Sequence, residues 1–229
     1  MKKGKLIVLD GSDGSGKATQ TRLLIARLKE EGYRVAILDF PQYENNFFGA
    51  LIGRCLAGEC GDFIGIDPYI ASVLYAADRF ESKQKIENWL KKGYVVVLDR
   101  YASANQIHQG GKITDPKKQK LFLEWLDQLE HHVFGIPRPD LIVYLDVPID
   151  IAQKLLQGET KQRSKVYLKK RQKDLAETNI KHLAESRANA LKLVKKLNSW
   201  TKIECTKKGE LLSREVIAEK IWNTIHEIL

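Results

Sequence analysis

A short glycine-rich segment near the amino terminus has the composition and spacing of a phosphate-binding loop. Residues 11–17 read GSDGSGK and follow an apolar run, LIVL, at residues 6–9. Glycines allow backbone N–H groups to turn toward phosphate oxygens, and the first turn of a helix adds partial positive charge. Lys17 adds a mobile charge for the β- and γ-phosphates of a nucleoside triphosphate. The predicted contacts of the ATP phosphates are Gly11, Ser12, Asp13, Gly14, Ser15, Gly16, Lys17, Ala18 and Thr19.

The position after Lys17 departs from the usual form of this loop. A serine or threonine commonly stands there and binds Mg²⁺ through its hydroxyl, whereas Ala18 has no ligand atom. We therefore expect the Mg²⁺ that accompanies ATP to be held by another group, and Asp99 is the candidate, acting largely through water. The alternative is a glycine-rich turn without a ligand, which fits less well between a strand and a helix.

An acidic and a basic residue follow a second buried strand. The run YVVVL at residues 94–98 ends in Asp99 and Arg100. A mechanical ATPase usually places a second acid here to polarise water, whereas an arginine suits phosphoryl transfer between two anions. Lys17, Asp99 and Arg100 are therefore the predicted catalytic groups. Arg100 can neutralise the charge of an acceptor phosphate or of the phosphoryl group during its transfer. A surface ion pair without a catalytic role is the alternative.

Strands that alternate with helices would position these motifs. Apolar runs at residues 6–9, 35–38, 94–98, 141–145 and 203–205 predict strands, and helical spacing occurs at residues 17–31, 47–58, 69–91 and 213–229. The alternation predicts an α/β fold with a five-stranded parallel sheet and helices on both faces. Ligands bind beyond the carboxyl ends of such strands, so the loop, residues 40–41, residues 99–100 and Asp146 should surround one crevice.

Length and composition fit one domain of this class. The 229 residues are 43% hydrophobic and carry a net charge of +9, which suits a polyanionic partner or simply a lysine-rich surface. Cys55, Cys60 and Cys205 form an odd, sparse set without metal-like spacing. That set argues against a disulfide framework or a zinc site and fits a reducing cytoplasm. Because no apolar run approaches the ~20 residues of a membrane span, we expect no membrane partner.

The motifs together resemble the thymidylate kinases, a family of P-loop nucleoside monophosphate kinases. The resemblance covers the loop at residues 10–20, FPQY at 40–43, YAADR at 75–79 and DRYASAN at 99–105. It implies transfer of the γ-phosphoryl group of ATP to dTMP, giving dTDP and ADP for dTTP synthesis, with Mg²⁺ as cofactor. Because the acceptor oxygen is already anionic, the reaction would need positioning and charge neutralisation rather than a general base.

The resemblance also implies an acceptor site. An aromatic plane at Tyr75 would stack on the pyrimidine, and Arg79, on the same helix face, would donate to the base carbonyl O4. Some relatives carry an arginine at or beside Tyr43, and this chain does not. Arg100 would therefore bind the acceptor phosphate, with Arg54 as a weaker candidate. The predicted dTMP contacts are Asp13, Phe40, Pro41, Tyr43, Tyr75, Arg79, Arg100, Asn105 and His108.

A basic stretch after the fourth strand matches the position of the family's lid over ATP. Its expected bounds are residues 158–171, within which Arg163, a further catalytic candidate, and Arg171 would contact phosphate. Asp174 belongs to a DxxE element just after the lid. A solvated, lysine-rich helix face is the alternative. The resemblance further implies a homodimer. The sequence itself predicts a single domain over residues 1–229, a cytoplasmic location and no nucleic-acid partner.

Two other kinds of function share part of this pattern. A kinase of another (deoxy)nucleoside monophosphate, or of a deoxynucleoside, would have the same loop. A deoxynucleoside kinase needs a base for its hydroxyl acceptor, and Glu44 is the candidate after the second strand. A nucleic-acid-binding ATPase module would need a second acid after a core strand and aromatic residues among its cations. Neither is evident in the sequence, so a dTMP kinase is the preferred hypothesis.

Overall fold

A five-stranded parallel sheet forms the centre of the computed structural model, which describes residues 3–159 and 179–229. The strands are β1 (Lys5–Gly11), β2 (Val35–Asp39), β3 (Val95–Asp99), β4 (Leu141–Asp146) and β5 (Trp200–Glu204). They lie in the order β2-β3-β1-β4-β5, and each neighbouring pair is parallel. A short antiparallel hairpin, β6 (Thr206–Lys207) and β7 (Glu210–Leu211), follows β5. The predicted fold class is confirmed.

Helices cover both faces of the sheet. They are α1 (Lys17–Glu30), α2 (Phe47–Leu56), α3 (Pro68–Glu81), α4 (Lys83–Lys91), α5 (Ala102–Gly111), α6 (Pro116–Asp127), α7 (Ile149–Glu159), α8 (Ile180–Lys196) and α9 (Arg214–His226), with a π-helical turn at Gln128–Val133 directly after α6. Within the described ranges, no helix is both long and apolar enough to cross a lipid bilayer.

Alternating side chains of β1 separate two hydrophobic cores. Leu6 and Val8 belong to the core beneath α4, α5 and α8, whereas Ile7 and Leu9 belong to the core beneath α1 and α9. All four side chains are fully buried. A strand that is covered on both faces has a continuous apolar sequence, and polar residues follow only where the strand leaves the sheet. The carboxyl end of β1 is therefore a rigid base for the phosphate loop.

Three predicted helical ranges differ from the structure, and the last helix ends at His226 rather than at residue 229. The apolar spacing over residues 69–91 predicts one helix, but the structure divides it into α3 and α4 at Ser82. The Ser82 N–H donates to the Arg79 carbonyl three residues earlier, and the Ser82 hydroxyl accepts from Asn46 Nδ2 at 3.1 Å. Helix α2 ends two residues earlier than expected, because Gly58 has a φ of 93°. Periodicity misses both features, since they arise from a tertiary contact and a left-handed turn.

The three cysteines include one bonded pair that the sequence did not indicate. Cys55 and Cys60 are bonded, with Cα atoms 4.6 Å apart. Cys55 lies in the last turn of α2, and the turn through Gly58 folds the chain back so that the two residues meet. Cys205 is free and buried. One short-range cross-link is not the framework of a small disulfide-rich domain, because the two cores already hold this fold together.

Candidate active site

The phosphate loop joins β1 to α1 at the carboxyl edge of the sheet. Lys17 is the first residue of α1, and its Nζ donates to the carbonyl oxygens of Gly11 and Ser12 at 3.0 Å each. Gly14 and Gly16 have φ angles of 78° and 81°, a conformation that side chains disfavour. A Cβ atom on Gly14 would also stand 2.2 Å from the Ala152 carbonyl oxygen. The loop is therefore a closed turn around the Lys17 ammonium group.

Two buried hydroxyls of this loop offer hydrogen bonds to a ligand. Ser12 Oγ and Ser15 Oγ are buried and have no hydrogen-bond partner within the described part of the chain. Buried polar atoms normally have a partner in the complete assembly, so each hydroxyl can donate to a phosphate oxygen. Ala18 is exposed and Thr19 is half-buried.

Arg100 connects the phosphate loop to a neighbouring cleft. Its Nη2 donates to Asp13 Oδ1 at 2.6 Å, and its Nη1 donates to His108 Nε2 at 2.9 Å. Nη1 also lies 3.6 Å from Asp10 Oδ1. Arg100 has a φ of 65°, which costs a non-glycine residue roughly 1–2 kcal/mol. Its backbone N–H donates to the Leu9 carbonyl at 3.0 Å and fixes this conformation against β1.

Burial and mutual charge set the ionisation of this cluster. Burial opposes the charge on Arg100, but Asp13, Asp10 and Asp99 outweigh it and raise the Arg100 pKa. Burial lowers the pKa of Lys17, and Arg100 lowers it further against the attraction of the three carboxylates. Burial raises the pKa of Asp99 despite Lys17 and Arg100. An anion beside the two cations would favour their charged forms.

His108 acts as a neutral hydrogen-bond acceptor for Arg100. Burial lowers its pKa well below the usual value, and the charge of Arg100 lowers it further. A guanidinium group can only donate, so His108 Nε2 must accept. Nδ1 then carries the proton and donates to Ser186 Oγ at 3.0 Å. His108 therefore helps to orient Arg100 rather than to transfer a proton.

All nine residues that the sequence predicts as dTMP contacts line one cleft. The volume of this cleft, with its open mouth included, is about 780 Å³, a size typical of small-molecule sites. The Phe40–Pro41 peptide bond at its edge is cis. Two weaker candidates do not line the cleft: Arg54 pairs with Glu59 at 2.7 Å, and Glu44 is exposed.

Several cleft residues were not expected from the sequence. They are Leu56, Phe63, Ile64, Ala104, Gln109, Lys112 and His182. Phe63 lies with its ring centroid 6.1 Å from that of Tyr75 and extends the apolar wall. These side chains come from α2, from the segment before α3, from α5 and the residue after it, and from α8, and all except Ala104 lie outside the motifs. Helical spacing from Asn105 could have indicated Gln109 in α5 and Lys112 directly after it, which lie four and seven residues further on.

Glu130 is the most informative residue that the sequence did not indicate. It lies in the π-helical turn, is buried, and receives hydrogen bonds from Arg79 and from Asn105 Nδ2. Both donors belong to the predicted base pocket. An isolated acid in an irregular turn has no motif, so only the tertiary structure reveals this contact.

The described residues fit a Mg²⁺ ion that is held mostly by water and by substrate. Asp10 is fully buried and already accepts from the Gly11 N–H at 2.8 Å and from Ser103 Oγ at 2.7 Å. Asp99 is half-buried at the end of β3, where burial raises its pKa against the attraction of Lys17 and Arg100. Among the described residues, no group of three or more potential ligands could enclose a metal. Mg²⁺ commonly uses one or two carboxylates with phosphates and water.

The lid prediction concerns residues that the structure does not describe. Arg163, Arg171 and Asp174 all lie between residues 160 and 178, outside the described ranges. Their roles therefore stay predictions.

The fold and the site together define a class of protein. A parallel sheet in the order β2-β3-β1-β4-β5, a phosphate loop after β1 and a second ligand cleft beside it are the features of a P-loop kinase of the nucleoside monophosphate type. The solved structure of thymidylate kinase from Candida albicans has this fold. It matches with a TM-score of 0.71 at 22% identity, over 98% of this chain and 92% of that one.

Sequence comparisons identify the family within this class. The family model described as thymidylate kinase matches residues 9–216. The chain is 31% identical over 219 residues to thymidylate kinase of Plasmodium falciparum, covering 95% of this chain and 90% of that protein. It is 36% identical over 159 residues to the probable thymidylate kinase of Thermococcus onnurineus, covering 67% and 72%. The chain belongs to the thymidylate kinase family.

Asp78 anchors the loop between β2 and α2 and should make stability depend on pH. Asp78 accepts from the Gln42 N–H at 3.2 Å and from Asn46 Nδ2 at 2.9 Å. Burial raises its pKa to about 6 against these hydrogen bonds. The folded state therefore holds this proton more tightly than the unfolded state does, and stability is lost as pH rises from about 4 through 6.

The Asp78→Asn variant removes this titration. Relative to the parent protein, its free energy of unfolding should rise by on the order of 2–3 kcal/mol between pH 4 and pH 7, measured by urea denaturation at each pH. Asp127→Asn is the opposite control, because hydrogen bonds from Arg138 lower the Asp127 pKa, so that variant should lose relative stability as pH rises. If the difference in free energy of unfolding between Asp78→Asn and the parent protein does not change with pH, the raised pKa of Asp78 in the folded protein is refuted.

Proposed function

We propose that this protein transfers the γ-phosphoryl group of ATP to dTMP, giving dTDP and ADP. The contacts of Arg100 carry the proposal. Its guanidinium binds Asp13 of the phosphate loop on one side and His108 of the cleft on the other. It is therefore a cation between two sites suited to anions. Phosphoryl transfer between two phosphates needs such a charge, because the donor and acceptor repel each other.

The proposed mechanism relies on positioning and charge. Lys17 would exchange its loop carbonyl contacts for β- and γ-phosphate oxygens, and the hydroxyls of Ser12 and Ser15 would donate to the same phosphates. Arg100 would neutralise the acceptor phosphate as its oxygen attacks. Asp99 would hold Mg²⁺ through water, and the ion, when bound, supplies further positive charge beside the transferred group. No general base is required, because the attacking phosphate oxygen is already anionic.

The cleft residues supply the proposed base pocket. Tyr75 and Phe63 provide apolar ring surfaces for a pyrimidine, and Arg79 and Asn105 provide polar groups at its edge. Thymine needs both, because its ring faces are apolar and its edge carries two carbonyls and one N–H.

The lid remains part of the proposal on the basis of the sequence. Arg163 and Arg171 would close over the ATP phosphates, with Asp174 beside them. Closure would exclude water and so limit ATP hydrolysis in the absence of an acceptor.

An acceptor panel tests the proposed reaction. ADP release with Mg-ATP should be fastest, by kcat/KM, with dTMP among dTMP, dUMP, dCMP, AMP and GMP, and thymidine should support no turnover. Absence of turnover with dTMP alongside turnover with a nucleoside would contradict the proposal and favour a deoxynucleoside kinase.

Lys17→Ala should lower kcat with dTMP by roughly a hundredfold or more, because it removes positive charge from the transferred phosphoryl group. Lys29→Ala is the matched control, since Lys29 is an exposed lysine of the same helix. It should leave kcat unchanged. A kcat of the Lys17→Ala protein equal to that of the control would exclude Lys17 from the reaction.

We also propose that the protein is a homodimer that forms through α2 and α3. Phe47, Ile70, Val73 and Phe80 are 74%, 56%, 40% and 47% exposed, and the three α3 residues share one face of that helix. The face is apolar, and in a two-fold dimer it would pack against the same apolar face of the second copy.

A cytoplasmic location remains a prediction. The Cys55–Cys60 disulfide argues against it, because reducing compartments keep thiols reduced.

The dimer proposal predicts that Val73→Glu shifts the mass in sedimentation equilibrium from about twice the chain mass to one chain mass. Leu121→Glu, which changes an exposed apolar residue of α6, is the control and should stay dimeric. A monomeric parent protein would refute the dimer.

A further inference from the structure

Glu130 lies directly behind the polar side of the cleft and holds two of its side chains. Its carboxylate is 1% exposed and faces the Arg79 guanidinium, which is 2% exposed. Arg79 Nε donates to Oε2 at 3.0 Å, and Arg79 Nη2 donates to Oε1. The pair is bidentate and buried, so the guanidinium plane has one fixed orientation. The N–H groups that Glu130 does not engage are the donors that Arg79 retains for the cleft.

The same carboxylate fixes the orientation of the Asn105 side-chain amide. Asn105 Nδ2 lies 3.0 Å from Glu130 Oε1 and 3.1 Å from the Ser72 carbonyl oxygen. Both neighbours are hydrogen-bond acceptors, so the NH₂ end of the amide must face them. A flipped amide would place an oxygen against two oxygens. Asn105 lines the cleft, and its Oδ1 is therefore the atom that remains to accept a hydrogen bond from a ligand.

We propose that Glu130 is a positioning residue that sets the hydrogen-bond polarity of the base pocket. It keeps Arg79 as a donor and turns Asn105 so that its oxygen accepts. This proposal rests on the proposed function, in which the cleft binds dTMP. A 4-oxo pyrimidine has an acceptor at O4 and a donor at N3–H, which complement this pair. A 4-amino pyrimidine has the reverse pattern, so its binding would leave buried polar groups without partners.

The arrangement explains how one acid far along the chain selects the base without touching it. Glu130 is 51 residues from Arg79 and 25 residues from Asn105 in sequence, and the π-helical turn brings its carboxylate between them. Asn105 alone could present either end of its amide to a ligand. The carboxylate and the Ser72 carbonyl together remove that freedom, because only one orientation of the amide avoids repulsion between oxygens.

The Glu130→Gln variant tests this role with little change in side-chain shape. A glutamine amide offers one acceptor oxygen in place of two, and its NH₂ group would face Arg79 or Asn105. Asn105 should then turn its NH₂ group toward the cleft in part of the population. The ratio of kcat/KM for dTMP to that for dCMP should fall by roughly tenfold or more, mainly through a higher KM for dTMP.

Asp127→Asn is the matched control. Asp127 also forms a bidentate pair with an arginine, Arg138, and ends α6 just before the π-helical turn, but it does not line the cleft. For Asp127→Asn, the ratio of kcat/KM for dTMP to that for dCMP should equal the ratio of the parent protein. A merely structural effect of Glu130→Gln would lower activity with both acceptors and leave the ratio unchanged. Thermal denaturation of each variant establishes that the assayed protein is folded.

The outcomes separate this proposal from the proposed function. A parent protein that fails to phosphorylate dTMP contradicts the proposed function itself. A parent protein that selects dTMP over dCMP, with an unchanged ratio in folded Glu130→Gln, contradicts only the role of Glu130. If Glu130→Gln does not fold, Glu130→Asp keeps the charge opposite Arg79 but shortens the reach to Asn105. Its ratio should also fall, and an unchanged ratio would overturn the proposal.

Discussion

The ion pair between Arg100 and Asp13 is the contact on which the rest of the site depends. It joins the end of β3 to the phosphate loop after β1, at a point where Arg100 also donates to His108 of the cleft. The Arg100 backbone is left-handed, and its N–H donates to the Leu9 carbonyl, which fixes this conformation. Strain of this kind persists only where the surroundings fix it. Here it places one permanent cation between the site for ATP phosphates and the cleft for the acceptor.

The central sheet supplies the rigidity that this arrangement requires. Because β1 is covered on both faces, the loop that follows it cannot shift without disturbing two hydrophobic cores. The cleft is stabilised differently, by buried polar contacts. Asp78 holds the loop between β2 and α2, and Glu130 holds the cleft residues Arg79 and Asn105. Apolar packing therefore positions the phosphate chemistry, whereas paired charges shape the site that would recognise the acceptor.

The parts of this structure that could be predicted from the sequence are local in the chain. The strands, the phosphate loop and the acid–arginine pair at the end of β3 each follow from adjacent residues, and the parallel sheet then brings them to one edge. Glu130, Phe63 and His182 could not be predicted, because their contacts join distant segments. The Cys55–Cys60 bond and the break at Ser82 depend on turn geometry and on a tertiary hydrogen bond, which periodicity does not report.

A double-mutant cycle on Asp13→Asn and Arg100→Lys tests the central role of their ion pair most directly. Lysine keeps the charge and the backbone conformation of Arg100 but loses the planar fork that contacts Asp13 and His108 together. The measured quantity is kcat with saturating Mg-ATP and dTMP for the parent protein, both single variants and the double variant. If the pair acts as a unit, the double variant should be less impaired than the product of the single losses, with a coupling energy of about 1 kcal/mol or more. Strictly multiplicative losses would show that Arg100 and Asp13 act independently and would contradict this account.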